Sequence, residues 1–273
     1  MDETKKAALE KTAKRIRYLL MDELGTLGIG HVGGSLSIVD TLAVLYFDKM
    51  KIDPKNPKWE ERDRFILSKG HAGPALYAAL AERGYFDISL LKTLNKPGTT
   101  LPSHCDMRLT PGVDMTAGSL GQGISCAVGA AKALKIRKIP SRIYCIIGDG
   151  ESQEGQVWEA SMAAAQFGLD NLTVFLDYNH MQIDGKVEDV NSLGDPVLRW
   201  GSFGFEVLEA AGHDVAAISL AIDKAQAVKG RPCLIVLHTI KGKGVSYVEQ
   251  AGVGSHNMSL SAEQTAQALR ELA

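Results

Sequence analysis

With 273 residues, 45% of them hydrophobic, the chain can bury a substantial core; one large α/β domain is the natural size, two small ones the alternative. A net charge of −2 and a pI near 6.4 exclude the basic surface that a nucleic-acid or membrane partner would require. The N-terminal stretch is charged throughout, no apolar run approaches the ~20 residues of a bilayer span, and Cys105, Cys126, Cys145 and Cys233 lack metal-type spacing, so a soluble cytoplasmic protein with reduced thiols is expected.

Residues 3–24 predict an amphipathic helix, with Leu9, Ala13, Ile16, Leu20 and Leu24 on one stripe. The Gly25–Gly34 loop carries His31, and Ser35 is placed to cap a helix from Leu36 to Asp48. A polar connection leads to a short strand, Phe65–Leu67, then Ser68-Lys69-Gly70-His71 and a helix from Pro74 to Arg83. Residues 95–123 are long and irregular; a loop of that length inside a compact domain is usually functional or disordered, and Leu101, Met107, Val113 and Met115 favour an ordered one. Its end, Gly118-Ser119-Leu120-Gly121-Gln122-Gly123, enters a small-residue helix. A dinucleotide fingerprint fails there, because the third glycine, a preceding strand and a later strand-ending acid are all missing.

Next comes an apolar run, Ile143–Ile147, broken by Gly148-Asp149-Gly150. Val157, Ala160, Ala164 and Phe167 follow at helical spacing, and a second run, Leu172–Leu176, ends at Asp177-Tyr178-Asn179. This is a βαβ unit whose strands are buried on both faces, as in a parallel sheet. A turn-rich stretch to Ser202, a strand at Phe205–Glu209, an Asp214-capped helix to Val228 and a strand at Cys233–Leu237 complete the pattern before a terminal helix. The fold class is α/β, a parallel sheet sandwiched by helices.

Asp149 and Asn179 each sit just past the carboxyl end of a strand. If those strands are neighbours, both oxygens face one crevice, where open α/β sheets bind ligands. One carboxylate and one amide oxygen suit Mg²⁺, which completes its shell with phosphate oxygens and water, and the glycines beside Asp149 let a phosphate approach the backbone. A Gly-Asp-Gly on its own is an ordinary turn; its pairing with Asn179 at strand ends favours a metal-diphosphate site. Four of seven histidines, His31, His71, His104 and His256, lie in glycine-rich loops without zinc-site spacing. Clustered neutral imidazoles suit proton exchange with a polyhydroxylated substrate.

The GDG…N pattern resembles the thiamine diphosphate (ThDP) motif. GDGESQEGQVWEAS, DYNHMQIDG, GHVGGSLS, LSKGHAGPALY, LPSHCDM, TAGSLGQGIS and TIKGKG resemble transketolase segments in family order, from about residue 10 to 260. The resemblance implies one ThDP-binding diphosphate (PP) domain over residues 1–273. It implies that Asp149, Asn179 and the Met181 carbonyl hold Mg²⁺, with Ca²⁺ or Mn²⁺ as substitutes. His71, Gly118, Ser119, Leu120, Gly150, Lys241 and His256 would bind the cofactor. His31 and His256 would move the proton of the donor's C3 hydroxyl, and His104 would bind near the transferred two-carbon unit. Cys105, where the family usually has proline, puts the His104 role in question. Glu154 would meet the cofactor-activating glutamate across an interface.

That glutamate belongs to a pyrimidine-binding domain this chain lacks, so the resemblance implies the N-terminal subunit of a split transketolase. Its expected partner is the C-terminal transketolase subunit, in an α2β2 assembly acting on sugar phosphates. Alternatives are a subunit of another ThDP enzyme, such as a 2-oxoacid dehydrogenase or deoxyxylulose-phosphate synthase, and a non-catalytic ThDP-binding module.

Overall fold

The computed structural model describes residues 1–273. Helix α1 (Glu3–Leu27) buries the whole predicted stripe, and Asp2 caps it by accepting the Lys5 N–H at 2.8 Å. It is followed by β1 (Ile29–Gly30), α2 (Val32–Leu36), α3 (Val39–Val44), β2 (Arg64–Leu67), α4 (Gly73–Arg83), α5 (Gln122–Ile136), β3 (Ile143–Gly148), α6 (Gly155–Gln166) and β4 (Leu172–Tyr178). Then come α7 (Val187–Asn191), α8 (Pro196–Ser202), β5 (Glu206–Ala211), α9 (Val215–Ala227), β6 (Cys233–His238), α10 (Ser246–Ala251), β7 (Met258–Ser259) and α11 (Ala262–Glu271).

Five strands form one parallel sheet in the order β2-β3-β4-β6-β5. Alternation along β3 sends Tyr144 and Ile146 into a core with α1, α3, α4 and α9, and Ile143, Cys145 and Ile147 into a core with α5, α6 and α8. The sheet is therefore covered on both faces, which explains why its inner strands read as unbroken apolar runs. A separate two-residue antiparallel ladder pairs β1 with β7, Ile29 opposite Ser259 and Gly30 opposite Met258. It ties the loop of His31 to the loop of His256.

Several boundaries differ from the sequence reading. Ser35 is not an N-cap: it lies inside α2, and its hydroxyl donates back to the His31 carbonyl at 2.7 Å. The expected Leu36–Asp48 helix is instead α2, α3 and a π-helical turn at Leu45–Lys49, because Gly33 and Gly34 carry no periodic signal yet join the helix. The turn-rich stretch before Ser202 contains α7 and α8, the latter capped by Asp195 with Pro196 at its start. The 95–123 loop is ordered down to α5; Leu101 and Val113 are buried, whereas Met107 is exposed.

Candidate active site

The carboxyl ends of four adjacent strands supply the site. Gly148 pairs with Asp177, so β3 and β4 are neighbours, and Asp149 and Asn179 face one crevice as expected. Lys241 follows β6, which pairs with β4, and Lys69 and His71 follow β2 on the far side of β3. Lys69, His71, Gly148, Asp149, Asn179 and Lys241 line a cavity of about 260 Å³, together with Leu120, Gly150, Glu154 and Met181.

The donors for a cation are set by their neighbours. Asn179 gives its Nδ2–H to Asp177 at 3.0 Å, which fixes the amide so that Oδ1 is the exposed acceptor; Oδ1 takes the Met181 N–H at 3.1 Å. His180, between them, has a φ of 64°, and its N–H donates to Asp149 Oδ2 at 2.6 Å. This left-handed residue turns the chain so that Asn179 and Met181 both face the cavity. The Met181 carbonyl accepts no hydrogen bond. Burial first, then the neighbouring Asp177 carboxylate, pushes Asp149 up to about 7, against the Gly150 and His180 amides. No group of three or more His, Cys, Asp or Glu side chains is placed to hold a metal. The donor set here is one carboxylate, one amide oxygen and one carbonyl, which fits a hard ion sharing its shell with a diphosphate.

Beneath the cavity lies a buried polar frame that the sequence reading missed. Lys69 donates to Asp177 Oδ2 at 2.6 Å and to the Gly34 carbonyl at 2.7 Å, and Ser37 and Thr239 also donate to Asp177. Burial alone would raise Asp177; the Lys69 ammonium and the two hydroxyls outweigh it and hold this carboxyl below its ordinary range. Glu151 accepts from Ser68 at 2.5 Å, from the Gly121 N–H at 2.9 Å and from the Gly148 N–H at 3.0 Å, which ties three loops together. Lys69 in SKGH and Glu151 in GDGE were visible in sequence as polar residues beside site motifs. Only the fold shows that they are buried.

The four loop histidines converge. Ring centroids lie 5.3 Å apart for His31 and His71, 5.5 Å for His31 and His256, 5.0 Å for His71 and His256, and 5.7 Å for His31 and His104. His71 and His256 line the cavity, His31 packs against both, and His104 meets this group through His31. Burial, then nearby cationic groups, lowers His31, holds His71 well below its usual range and takes His256 down to about 4. All three are neutral at pH 7. Burial and Lys69 bring Lys241 down to about 8, and its Nζ lies 3.3 Å from His256 Nδ1.

The remaining candidates are placed less uniformly. Gly150 donates its N–H to Asp149 Oδ1 at 2.8 Å, and a Cβ there would meet the Gln182 side chain at 2.7 Å, so its missing side chain serves packing on the 182 loop. Leu120 lines the cavity, while Gly118 and Ser119 are exposed just before it. Glu154 is exposed at the start of α6 and makes no hydrogen bond through its side chain. Cys105 is fully buried against α4, below His104.

The family model for the thiamine diphosphate-binding domain of transketolase matches residues 8–273. The chain belongs to the transketolase family. It is 56% identical to the 6-deoxy-6-sulfo-D-fructose transketolase subunit SqwG of Clostridium sp. (strain MSTE9), covering 97% of this chain and 96% of that protein. It is 39% identical to an apulose-4-phosphate transketolase subunit of Phocaeicola vulgatus, covering 97% and 93%. Among solved structures it matches transketolase from Leishmania mexicana at a TM-score of 0.89 and 33% identity, over 95% of this chain. Transketolase from Campylobacter jejuni gives 0.89 and 34% over 97%. The chain spans about 40% of the length of these two transketolases. The fold is thus that of the ThDP-binding domain, and the resemblance in the sequence motifs holds. No helix is long and apolar enough to cross a membrane.

Proposed function

We propose that this chain is the N-terminal subunit of a two-chain, cytoplasmic transketolase, one ThDP-binding domain along its length. It works only with a C-terminal subunit that supplies the pyrimidine-binding domain, in an α2β2 assembly. The reaction moves a two-carbon ketol unit from a ketose to an aldose. The observation that carries this reading is the meeting of Asp149, Asn179 and the unpaired Met181 carbonyl with His71 and His256 in one cavity, His31 and His104 joining these rings beside it.

Thiamine diphosphate, when bound, supplies the nucleophilic carbon that takes up the two-carbon unit. Asp149, Asn179 and the Met181 carbonyl would hold Mg²⁺, or Ca²⁺ or Mn²⁺ in its place, for the diphosphate. Gly150 and Lys241 would hold the diphosphate, and His71 with Gly118, Ser119 and Leu120 would bind the rest of the cofactor. Being neutral, His31 and His256 can take the proton of the donor's C3 hydroxyl and return it to the acceptor. His104, which meets the other rings through His31, would hydrogen-bond the transferred unit. Glu154, free of partners in its own chain, reaches the C-terminal subunit, although a carboxylate at a helix start is also favoured by the macrodipole.

For the donor, the relatives are named for 6-deoxy-6-sulfofructose and apulose-4-phosphate. Both are ketoses with an anionic group at the far end. The higher identity of the sulfofructose relative makes a sulfonated ketose the first donor to test, ahead of ketose phosphates. The experiment is to incubate the assembled subunits with each donor and an aldose phosphate, and to measure the aldose shortened by two carbons. Product that requires both ThDP and Mg²⁺ supports the reading. Absence of ketol transfer from every donor, or transfer indifferent to ThDP, would sink it.

A further inference from the structure

The segment Thr239–Val245 between β6 and α10 carries Lys241 and has no regular structure of its own. Gly242 and Gly244 hold φ values of 88° and 97°, so little in the local backbone preference keeps this shape. Two turn bonds lie within it, from the Lys243 N–H to the Ile240 carbonyl at 3.2 Å and from the Val245 N–H to the Gly242 carbonyl at 3.3 Å, and it is also held from outside. The Gly242 N–H donates to the Gly33 carbonyl at 3.0 Å. The Ile240 N–H donates to His213 Nε2 at 2.8 Å, and the Lys243 carbonyl accepts from Arg17 Nε at 3.0 Å. One contact falls just before Lys241 and the other two residues after it.

These two contacts are one network. Because His213 Nε2 accepts, its ring proton sits on Nδ1, which donates to Asp40 Oδ2 at 2.8 Å. Asp40 also takes both guanidinium ends of Arg17, one at 3.0 Å. The pair is largely buried; burial opposes ionisation of Asp40, but His213 and Arg17 prevail and keep the carboxyl below its ordinary range. Arg17 is on α1, Asp40 on α3 and His213 just ahead of α9, three elements packed into the same core. A carboxylate that orients an imidazole, which in turn orients a functional group, is a recurrent way to fix a site from behind.

We infer that Arg17, Asp40 and His213 form a clamp of positioning residues that sets Lys241 at the diphosphate end of the cavity, with His213 acting through the Ile240 amide. The inference rests on the proposed role of Lys241 toward ThDP. It distinguishes His213 from a histidine that merely fills space between α3 and α9.

The test compares His213→Gln, His213→Asn and His213→Ala. Glutamine can put an acceptor oxygen where Nε2 stands and so keep the Ile240 bond. Asparagine puts its amide nitrogen where Nδ1 stands and keeps the Asp40 bond alone. Hydrogen exchange of residues 239–244 is followed on the full chain, and ThDP with Mg²⁺ is titrated into the assembled enzyme. His213→Asn and His213→Ala are expected to speed exchange in that segment and to weaken ThDP binding on the order of tenfold, the size seen when an orienting partner is lost. His213→Gln is expected to stay near wild type in both. In a Lys241→Ala background, His213→Asn should add no further loss. Unchanged exchange in His213→Asn, unchanged ThDP affinity despite faster exchange, or full additivity with Lys241→Ala would each overturn the clamp. If the wild-type enzyme itself took up no ThDP, the cofactor reading would fail while the exchange comparison still judged the clamp.

Discussion

At Asp149, burial and a nearby like charge push ionisation up to about 7, while both oxygens already accept backbone N–H groups. A cation relieves that strain, so Asp149→Asn should abolish Mg²⁺-dependent tightening of ThDP binding and leave the fold intact. Calorimetric titration checks this, and unchanged affinity with unchanged metal dependence contradicts it. His31→Ala and His256→Ala should lower kcat by roughly 10²–10⁴-fold, the usual size of a general acid-base contribution, at saturating ThDP. Normal turnover with weakened ThDP binding would make either residue a cofactor ligand instead. Glu23 on α1 makes a different prediction: it is fully buried, and neither oxygen has a hydrogen-bond partner. Burial, then Asp22, raises it well above the usual 4.5, so the folded chain keeps a proton that the unfolded chain releases. The stability tied to this group is full below 4.5 and is lost as pH rises through the higher folded value. Glu23→Gln should therefore flatten the fall of Tm above pH 4.5, most visibly at pH 8; parallel Tm–pH curves would refute it. Asp149 and Asn179 were legible in sequence because each follows an apolar strand run, and the histidines because they sit in loops rather than on apolar faces. Lys69, Asp177 and Glu151 were not, because their partners come from other strand ends far along the chain.

The elements form the site by close approach of α5 to the end of β2. A Cβ on Gly123 would stand 2.5 Å from Ser68 Cα, a contact that backbone shift alone can relieve. Ser68 also donates to Glu151 and accepts the Ile124 N–H at 3.2 Å, so the same shift would pull at the Gly148 and Gly121 amides. Gly123→Ala is expected to cost about 1–3 kcal/mol, as overpacking usually does, and to weaken ThDP binding with it. Denaturant unfolding and titration check this together; wild-type stability would show that the junction is softer than its packing implies. The sheet was readable because buried parallel strands are continuous apolar runs, and α9 because Asp214 caps it, accepting the Ala216 N–H at 2.8 Å. The α2–α3 region was misread because tertiary contacts, such as Ser37 on Asp177 at 2.7 Å, set its bends. Sequence periodicity carries no trace of such contacts. The two-residue pairing of β1 with β7 is too short to leave any pattern.

Over the whole molecule, the cofactor cavity has an unfinished edge. Ile183 lines it yet is 59% exposed, and Met107 and Leu109 on the His104 loop are also exposed. Glu154 points from the same rim without a partner in its own chain. We propose that the second subunit sits against this edge, since exposed apolar side chains beside a polar site are a usual mark of an interaction surface. The isolated chain is accordingly expected to self-associate in sedimentation experiments and to become a defined species when the C-terminal subunit is added. The most direct measurement is ketol transfer by the purified chain alone and after titration with the C-terminal subunit, at fixed ThDP and Mg²⁺. The account predicts no turnover by the chain alone and activity that rises to a plateau at one partner per chain. Robust turnover by the chain alone, at a level excluding contamination, would contradict it.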